Sequence, residues 1–310
     1  MKKFTKGCLI TALSMLAIGF IILIIYIIIG GTTLFNFLRE EATNHEHFAS
    51  FFNDAVINLN DGEFHIDFSK KYPVYSGKHE NMQVATASEI KNLNIDFGGG
   101  MCTLSESSDE YFHIFTKNAD EFQYYVEDAT LYLKGLNDIT FHQNHTDYNE
   151  IHLEIPKDLF FEDIDIKLGA GYLNTHAFTA SDTISIEVGA GELIADSLTS
   201  KSLTLKAGAG NIELNNVFVT DSSISLGLGS IICDGIISGD LEAECGMGEL
   251  ELLLYDSYES HNYNIDCAMG NLTLNKKNFS AIVYSDNIQH DADSTYTLIC
   301  GMGNMNIQFE

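Results

Sequence analysis

The side chains of this sequence that could do chemistry are its cysteines, its histidines and its carboxylates. Of six cysteines, Cys8 sits in an apolar N-terminal run, and Cys102, Cys233, Cys245, Cys267 and Cys300 lie downstream. A zinc site would want thiolate pairs such as Cys-x-x-Cys with histidine close by, and no such spacing occurs. The five downstream thiols are odd in number, so at least one is unpaired. Buried core thiols are the favoured reading, and a bridge between Cys245 and Cys267 is the alternative. The histidines form two loose groups, His45 with His47 and His142 with His145. His142, His145 and Asp147 could ligate a metal, but solvated loop histidines suit that polar stretch better.

Carboxylates raise the question of glycan cleavage. A hydrolase needs two of them about 5–9.5 Å apart on one face, and outward acids such as Asp165, Glu187, Glu242 and Glu244 could stack that way. A lyase would bring arginine or lysine to neutralise the acid beside the labile proton. Residues 90–310 contain no arginine, and Lys167, Lys201 and Lys206 are dispersed. With no aromatic-lined cleft evident to hold a sugar, the sequence predicts no enzyme. It predicts no catalytic, cofactor-binding or metal-ligating residues and no cofactor.

What must position these groups is a repeat. Gly-x-Gly corners fall at Gly169, Gly189, Gly208, Gly227 and Gly246, separated by 20, 19, 19 and 19 residues. Further copies stand at Gly98-Gly99-Gly100, Ala268-Met269-Gly270 and Gly301-Met302-Gly303. Apolar residues alternate before each corner (Ile164, Ile166, Leu168; Ile184, Ile186, Val188) and after it (Leu193, Ala195; Ile212, Leu214). Period-two alternation marks a strand with one buried face, and glycine supplies freedom to turn between strands. A 19-residue unit of two short strands cannot bury its own apolar side and must stack on its copies. The predicted fold is all-β: a parallel β-solenoid of about seven or eight rungs of roughly 20 residues.

Other uses of the glycines fail on context. A dinucleotide fingerprint occurs once, between strand and helix, whereas this pattern recurs between strands. A phosphate loop would need a following lysine and helix. The calcium-binding nonapeptide would place Asp where Leu173, Leu193, Ile212 and Ile231 stand. Cys245, Cys267 and Cys300 occupy the slot before the corner that Leu168, Val188, Ala207 and Leu226 hold elsewhere. Residues 109–156 carry strands without a corner and are expected to form a wider turn or a small sheet closing the N-terminal end. Residues 276–296 are expected to be an excursion near the last rungs. The final strand, 295–309, has no evident cap after it, which leaves self-association through the solenoid ends open.

The formal charge is −28, and Lys2, Lys3 and Lys6 are its only charges before residue 31. So acidic a remainder repels nucleic acid. Residues 8–29 are 22 in number, uncharged and rich in Ile and Leu, long enough as a helix to cross a hydrocarbon core of about 30 Å. The predicted organisation is a cytoplasmic tail (1–7), a transmembrane helix (8–29), a juxtamembrane stalk or connector (30–90) and the solenoid (91–310). Lysines before the span and acids after it place the N-terminus inside and the C-terminal domain outside the cell membrane.

On the iterated form seen in Ile184–Leu193, and on the Tyr-x-x-x-Cys-x-x-Gly rungs Tyr263–Gly270 and Tyr296–Gly303, the chain resembles the bacterial putative-adhesin family of β-strand-repeat proteins, a domain-of-unknown-function class. That resemblance spans roughly 90–310. It implies a coil-shaped extracytoplasmic module, often membrane-anchored and associated with adhesion or envelope-stress sensing, and it carries over no catalytic residue. The functional expectation is a membrane-anchored binding, adhesion-like or envelope-sensing module whose partner is an envelope polymer or protein. A self-assembling scaffold is the alternative and a polysaccharide-cleaving enzyme a distant third.

Overall fold

The computed structural model describes residues 68–135, 149–280 and 284–310. The expected tail, the expected membrane span with Cys8, residues 30–67 of the connector, and His142, His145 and Asp147 lie outside the described residues. Among those described, no helix is long and apolar enough to cross a membrane. What is described is twenty-one strands joined into one sheet.

Nine rungs stack in parallel, each with one strand before its corner and one after. In chain order the first strands of rungs 1 to 5 are Asn92–Phe97, Thr130–Gly135, Phe161–Leu168, Phe178–Val188 and Leu198–Ala207. Asn211–Leu226 runs from the second half of rung 5 into rung 6, and Leu241–Cys245, His261–Cys267 and Ser294–Cys300 open rungs 7, 8 and 9. In-register columns then follow from parallel pairing at about 4.8 Å. Ile166, Ile186, Leu205 and Ile224 form one, and Leu173, Leu193, Ile212, Ile231 and Leu250 another. All nine of these side chains are buried. In mid-rod a short third segment stacks too, through Phe178, Leu198, Val217 and Gly235, so the coil has three sides.

The ninth rung beyond the predicted eight is rung 2, Thr130–Gly135 with Glu150–Pro156, which has no Gly-x-Gly corner. Spatial order also departs from chain order at both ends. Rung 1 lies between rungs 2 and 3: Leu93 pairs with both Leu131 and Ile164. Rung 9 lies between rungs 7 and 8: Cys300 pairs with both Cys245 and Cys267. The final strand, Asn304–Phe309, is therefore flanked on both sides, by Glu249–Leu254 and Asn271–Leu274. It is an interior strand rather than an uncapped end.

Antiparallel strands close both ends. Tyr111–Glu127 covers rung 2 (Phe122↔Gly135, Ile114↔Leu153) and is itself paired with Tyr75–Thr86. The folded sheet thus takes in part of the stretch expected as connector. Gln123, fully buried, holds the chain leading into it: its side chain accepts from the Ser69 N–H and donates to the carbonyls of Ser69 and Tyr72. At the other end Tyr284–Ile288 runs antiparallel to His261–Cys267, and Lys277–Asn278 to residues 273–274. These are the excursion the sequence suggested.

Turning is not what makes the corners glycine. Among the described corner glycines only Gly100 has φ in the left-handed region, at +77°. The corners are glycine because each lies against the backbone of the rung beneath. A methyl group at Gly189 would sit 2.9 Å from the Gly169 carbonyl oxygen, one at Gly210 2.5 Å from that of Gly191, and one at Gly229 would run into that of Gly210. The same carbonyls accept hydrogen bonds up the rod: Ala190 N–H donates to Gly169 at 2.7 Å, Asn211 N–H to Gly191 at 2.9 Å and Ser230 N–H to Gly210 at 3.1 Å. A side chain there would pry open a hydrogen-bonded ladder.

Gly229→Ala should therefore cost about 3 kcal/mol or more, or prevent folding, while Ala209→Ser in the exposed middle of a corner should stay within about 0.5 kcal/mol. Urea denaturation followed by circular dichroism reads both. Inside the coil, Ser222 takes an apolar slot between Leu203 and Leu241, and its buried hydroxyl has no partner. Ser222→Ala should raise stability by about 1 kcal/mol, seen as a higher urea midpoint.

Candidate functional site

From rung 4 onward the middle residue of the corner points away from the core, because its neighbours on either side are pressed to the adjacent rung. In rungs 4 and 5 this residue is Ala190 or Ala209. In rungs 6, 7, 9 and 8 it is Leu228, Met247, Met302 and Met269, exposed to 45%, 51%, 45% and 50%. Backbone bonds from Leu228 to Gly208, Met247 to Gly227, Met302 to Gly246 and Met269 to Gly301 put the four in one column. Beside them an in-register polar column runs through Asn211, Ser230, Glu249, Asn304 and Asn271. Within it Asn271 Nδ2 donates to Asn304 Oδ1 at 2.9 Å, and Asn304 Nδ2 to Glu249 Oε1 at 3.3 Å. Ridge and polar column together form a shallow, open stretch of surface. Unbranched thioether chains reshape themselves to a partner surface, and a continuous exposed apolar strip marks a contact site more than scattered apolar residues do. The arrangement can dock a partner.

The carboxylates considered for glycan hydrolysis are not brought together as stacked pairs. Asp165 stands between Asn94, which donates to it at 2.9 Å, and Ser185. Glu187 stands between Lys167 and Lys206. Glu242 is flanked by Ser223 and Thr297, and Glu244 by Ser225 and Ile299. The dispersed lysines gain a meaning here: Lys134, Asp96, Lys167, Glu187 and Lys206 form one column of alternating charge. Opposite charges side by side on adjacent strands are each worth about 0.2–1 kcal/mol, and like charges there repel. Burial pushes the Asp96 carboxyl above its usual range, opposed by Lys134 and Lys167.

All five described cysteines are free and buried, in the inward slots their spacing predicted. Burial pushes the Cys102 thiol up, and that of Cys233 up to about 12, so both behave as core residues.

A constellation that the sequence did not reveal sits under the C-terminal cap. His261, 1% exposed, places Nδ1 2.6 Å from Ser294 Oγ and Nε2 2.8 Å from Asp256 Oδ2. Carboxylate, imidazole and hydroxyl in that order is how acyl-transfer enzymes activate serine. Here the imidazole is stacked on the Tyr296 ring at 4.0 Å, and Ser294 is buried with its Oγ 3.2 Å from the Ser260 carbonyl oxygen. A substrate carbonyl has no approach to that hydroxyl. The three residues clamp the turn before rung 8 to the start of rung 9. Their one sequence signal is a histidine and a serine entering otherwise apolar rungs, 33 positions apart, and only the insertion of rung 9 makes them neighbours. At the N-terminal end His113 is held likewise, between Asn81 Oδ1 at 2.8 Å and Asp109 Oδ1 at 2.9 Å. That hydrogen bond holds the Asp109 carboxyl below its usual range.

The sequence profile of the Toastrack DUF4097 family matches residues 90–296. Among curated proteins no relative matches the chain. Solved structures similar to it include a putative adhesin of Bacteroides fragilis (13% identity over 79% of this chain and 100% of that one, TM-score 0.37). A putative cell adhesion protein of Clostridium sporogenes is 16% identical over 76% and 100%, with TM-score 0.32. A putative lipid binding protein of Parabacteroides distasonis is 14% identical over 76% and 97%, with TM-score 0.38.

If the Asp256–His261–Ser294 cluster is a clamp, His261→Leu should cost about 2–4 kcal/mol by stranding its two partners. Urea titration of the variant checks this, and a cost under about 1 kcal/mol would contradict the assignment.

Proposed function

The chain belongs to the Toastrack DUF4097 family, and we propose that it is a non-catalytic binding module, held at the outer face of the cell membrane by residues 8–29. On this reading residues 1–7 lie in the cytoplasm and the solenoid stands outside, facing an envelope polymer or a protein partner. The observation that carries the proposal is the Leu228–Met247–Met302–Met269 strip with its flanking amide and carboxylate column. A rigid rod keeps these side chains in fixed register, so the contact surface is organised before a partner arrives, which lowers the ordering cost of binding. The acidic surface favours partners that are neutral or basic where they touch it.

The scaffold alternative loses its original motive, because the last strand is interior and antiparallel strands cover rungs 2 and 8. Association through the outer edges of Tyr75–Thr86 or Tyr284–Ile288 remains as an edge-to-edge route, and no feature of either edge favours it over the strip.

Two measurements on cells test the proposal. An epitope appended to the exposed Glu310 should bind antibody on intact cells; staining that requires permeabilisation would refute the orientation. A photo-crosslinking residue at Met247 or Met302 should give discrete adducts on those cells, and one at the exposed Lys201 should not. Equal labelling at all three positions would refute the strip as the contact surface.

A further inference from the structure

Cys245, Cys300 and Cys267 occupy the same inward slot in three successive rungs, Cys300 in the middle. All three are buried. In-register pairing sets Cys300 directly opposite Cys245 on one side and directly opposite Cys267 on the other. Cys245 and Cys300 also lie against the carbonyl oxygens of their own corners, 3.3 Å from Gly248 and 3.5 Å from Gly303. The adjacency is a product of topology. Rung 9 enters between rungs 7 and 8 and brings a cysteine with a neighbour above and a neighbour below.

Adjacent in-register residues of parallel strands are about 4.8 Å apart, within the roughly 4.4–6.8 Å over which a disulfide can form. Cys245 and Cys267 are two rungs apart, about 9.6 Å by the same spacing, and cannot be bridged. The pair considered from sequence is therefore replaced by two others that share one sulfur.

We propose that Cys300 is the common partner of a mobile disulfide, joined to Cys245 or to Cys267 and able to pass between them. Formation consumes two thiols and one molecule of a small disulfide such as oxidised glutathione, and yields the protein disulfide and two reduced glutathiones. Passage is thiol–disulfide exchange: the Cys267 thiol, which its Cys300 neighbour and burial push up, gives up its proton and attacks Cys300 Sγ, the bond to Cys245 breaks, and Cys245 leaves as a thiolate that takes up that proton. No net oxidation occurs. Exchange proceeds by displacement at the attacked sulfur, and the register places Cys300 between the residue that would attack and the residue that would leave. Either bridge staples the inserted rung to one neighbour and leaves the third thiol in register on the rung at its other side. The chemistry is independent of what the exposed strip binds.

The test uses the full-length protein, incubated folded with oxidised glutathione, then quenched in acid, blocked with an alkylating reagent and digested for mass spectrometry. Cross-links Cys245–Cys300 and Cys267–Cys300 should both appear, with Cys102 and Cys233 recovered as alkylated thiols. In Cys267→Ala only the Cys245–Cys300 link should remain, and Cys300→Ala should lose both. Recovery of Cys245, Cys267 and Cys300 all alkylated after oxidation, a predominant Cys245–Cys267 link, or a single link in the unmodified sequence would each overturn the proposal. The measurement on the unmodified sequence decides even where a variant fails to fold.

Discussion

The close approach of backbone to backbone at the corners is the constraint on which this structure depends. Each corner carbonyl accepts a hydrogen bond from the next rung while occupying the place where that rung's Cβ would be. The ladder therefore continues around the bend instead of breaking at it. Buried backbone groups need partners, and a corner that opened by the width of a methyl group would strand several at once. Everything in register follows from this contact: the apolar columns inside, the alternating charges on one face and the ridge at the corner's tip.

A coil so built has a difficulty at its ends, where unpaired strands invite other chains. Two devices meet it. Antiparallel strands lie across the outermost rungs, and the outermost rungs are not the first and last in sequence. At the C-terminal end the cap needs bulk, which Tyr263, Tyr296 and Phe309 supply; the two tyrosine hydroxyls donate to the carbonyls of Tyr258 and Ile237, each at 2.6 Å. Satisfying those hydroxyls is what allows such large polar-tipped rings to be fully buried. The Asp256–His261–Ser294 clamp belongs to the same construction.

Function is left to the surface. Where hydrogen bonding and packing hold the outer members of a corner to glycine, or to Ala268 in the outermost rung 8, the middle member varies most. Along the rod it changes from alanine to leucine to methionine, and the change falls at the end where the cysteine column also begins. The corner backbone thus separates an exposed thioether column from a buried thiol column, two soft surfaces with different access to solvent and different chemistry.

The sequence by itself determined the fold class, the inward slots and the burial of the thiols. Each rests on short-range periodicity: alternation of two along a strand and a recurrence near nineteen residues locate the core without knowledge of any partner strand. The resemblance carried by those repeats was sound as well. The tertiary structure alone decided which rungs are neighbours, because parallel stacking energy depends little on chain order and a rung can be inserted as well as appended. That choice set Cys300 between two cysteines, brought Ser294 to His261, and buried a final strand that looked free. It also decided why glycine stands at the corners. A requirement for φ and a requirement for empty space leave the same letter in a sequence, and only the position of the neighbouring carbonyl tells them apart.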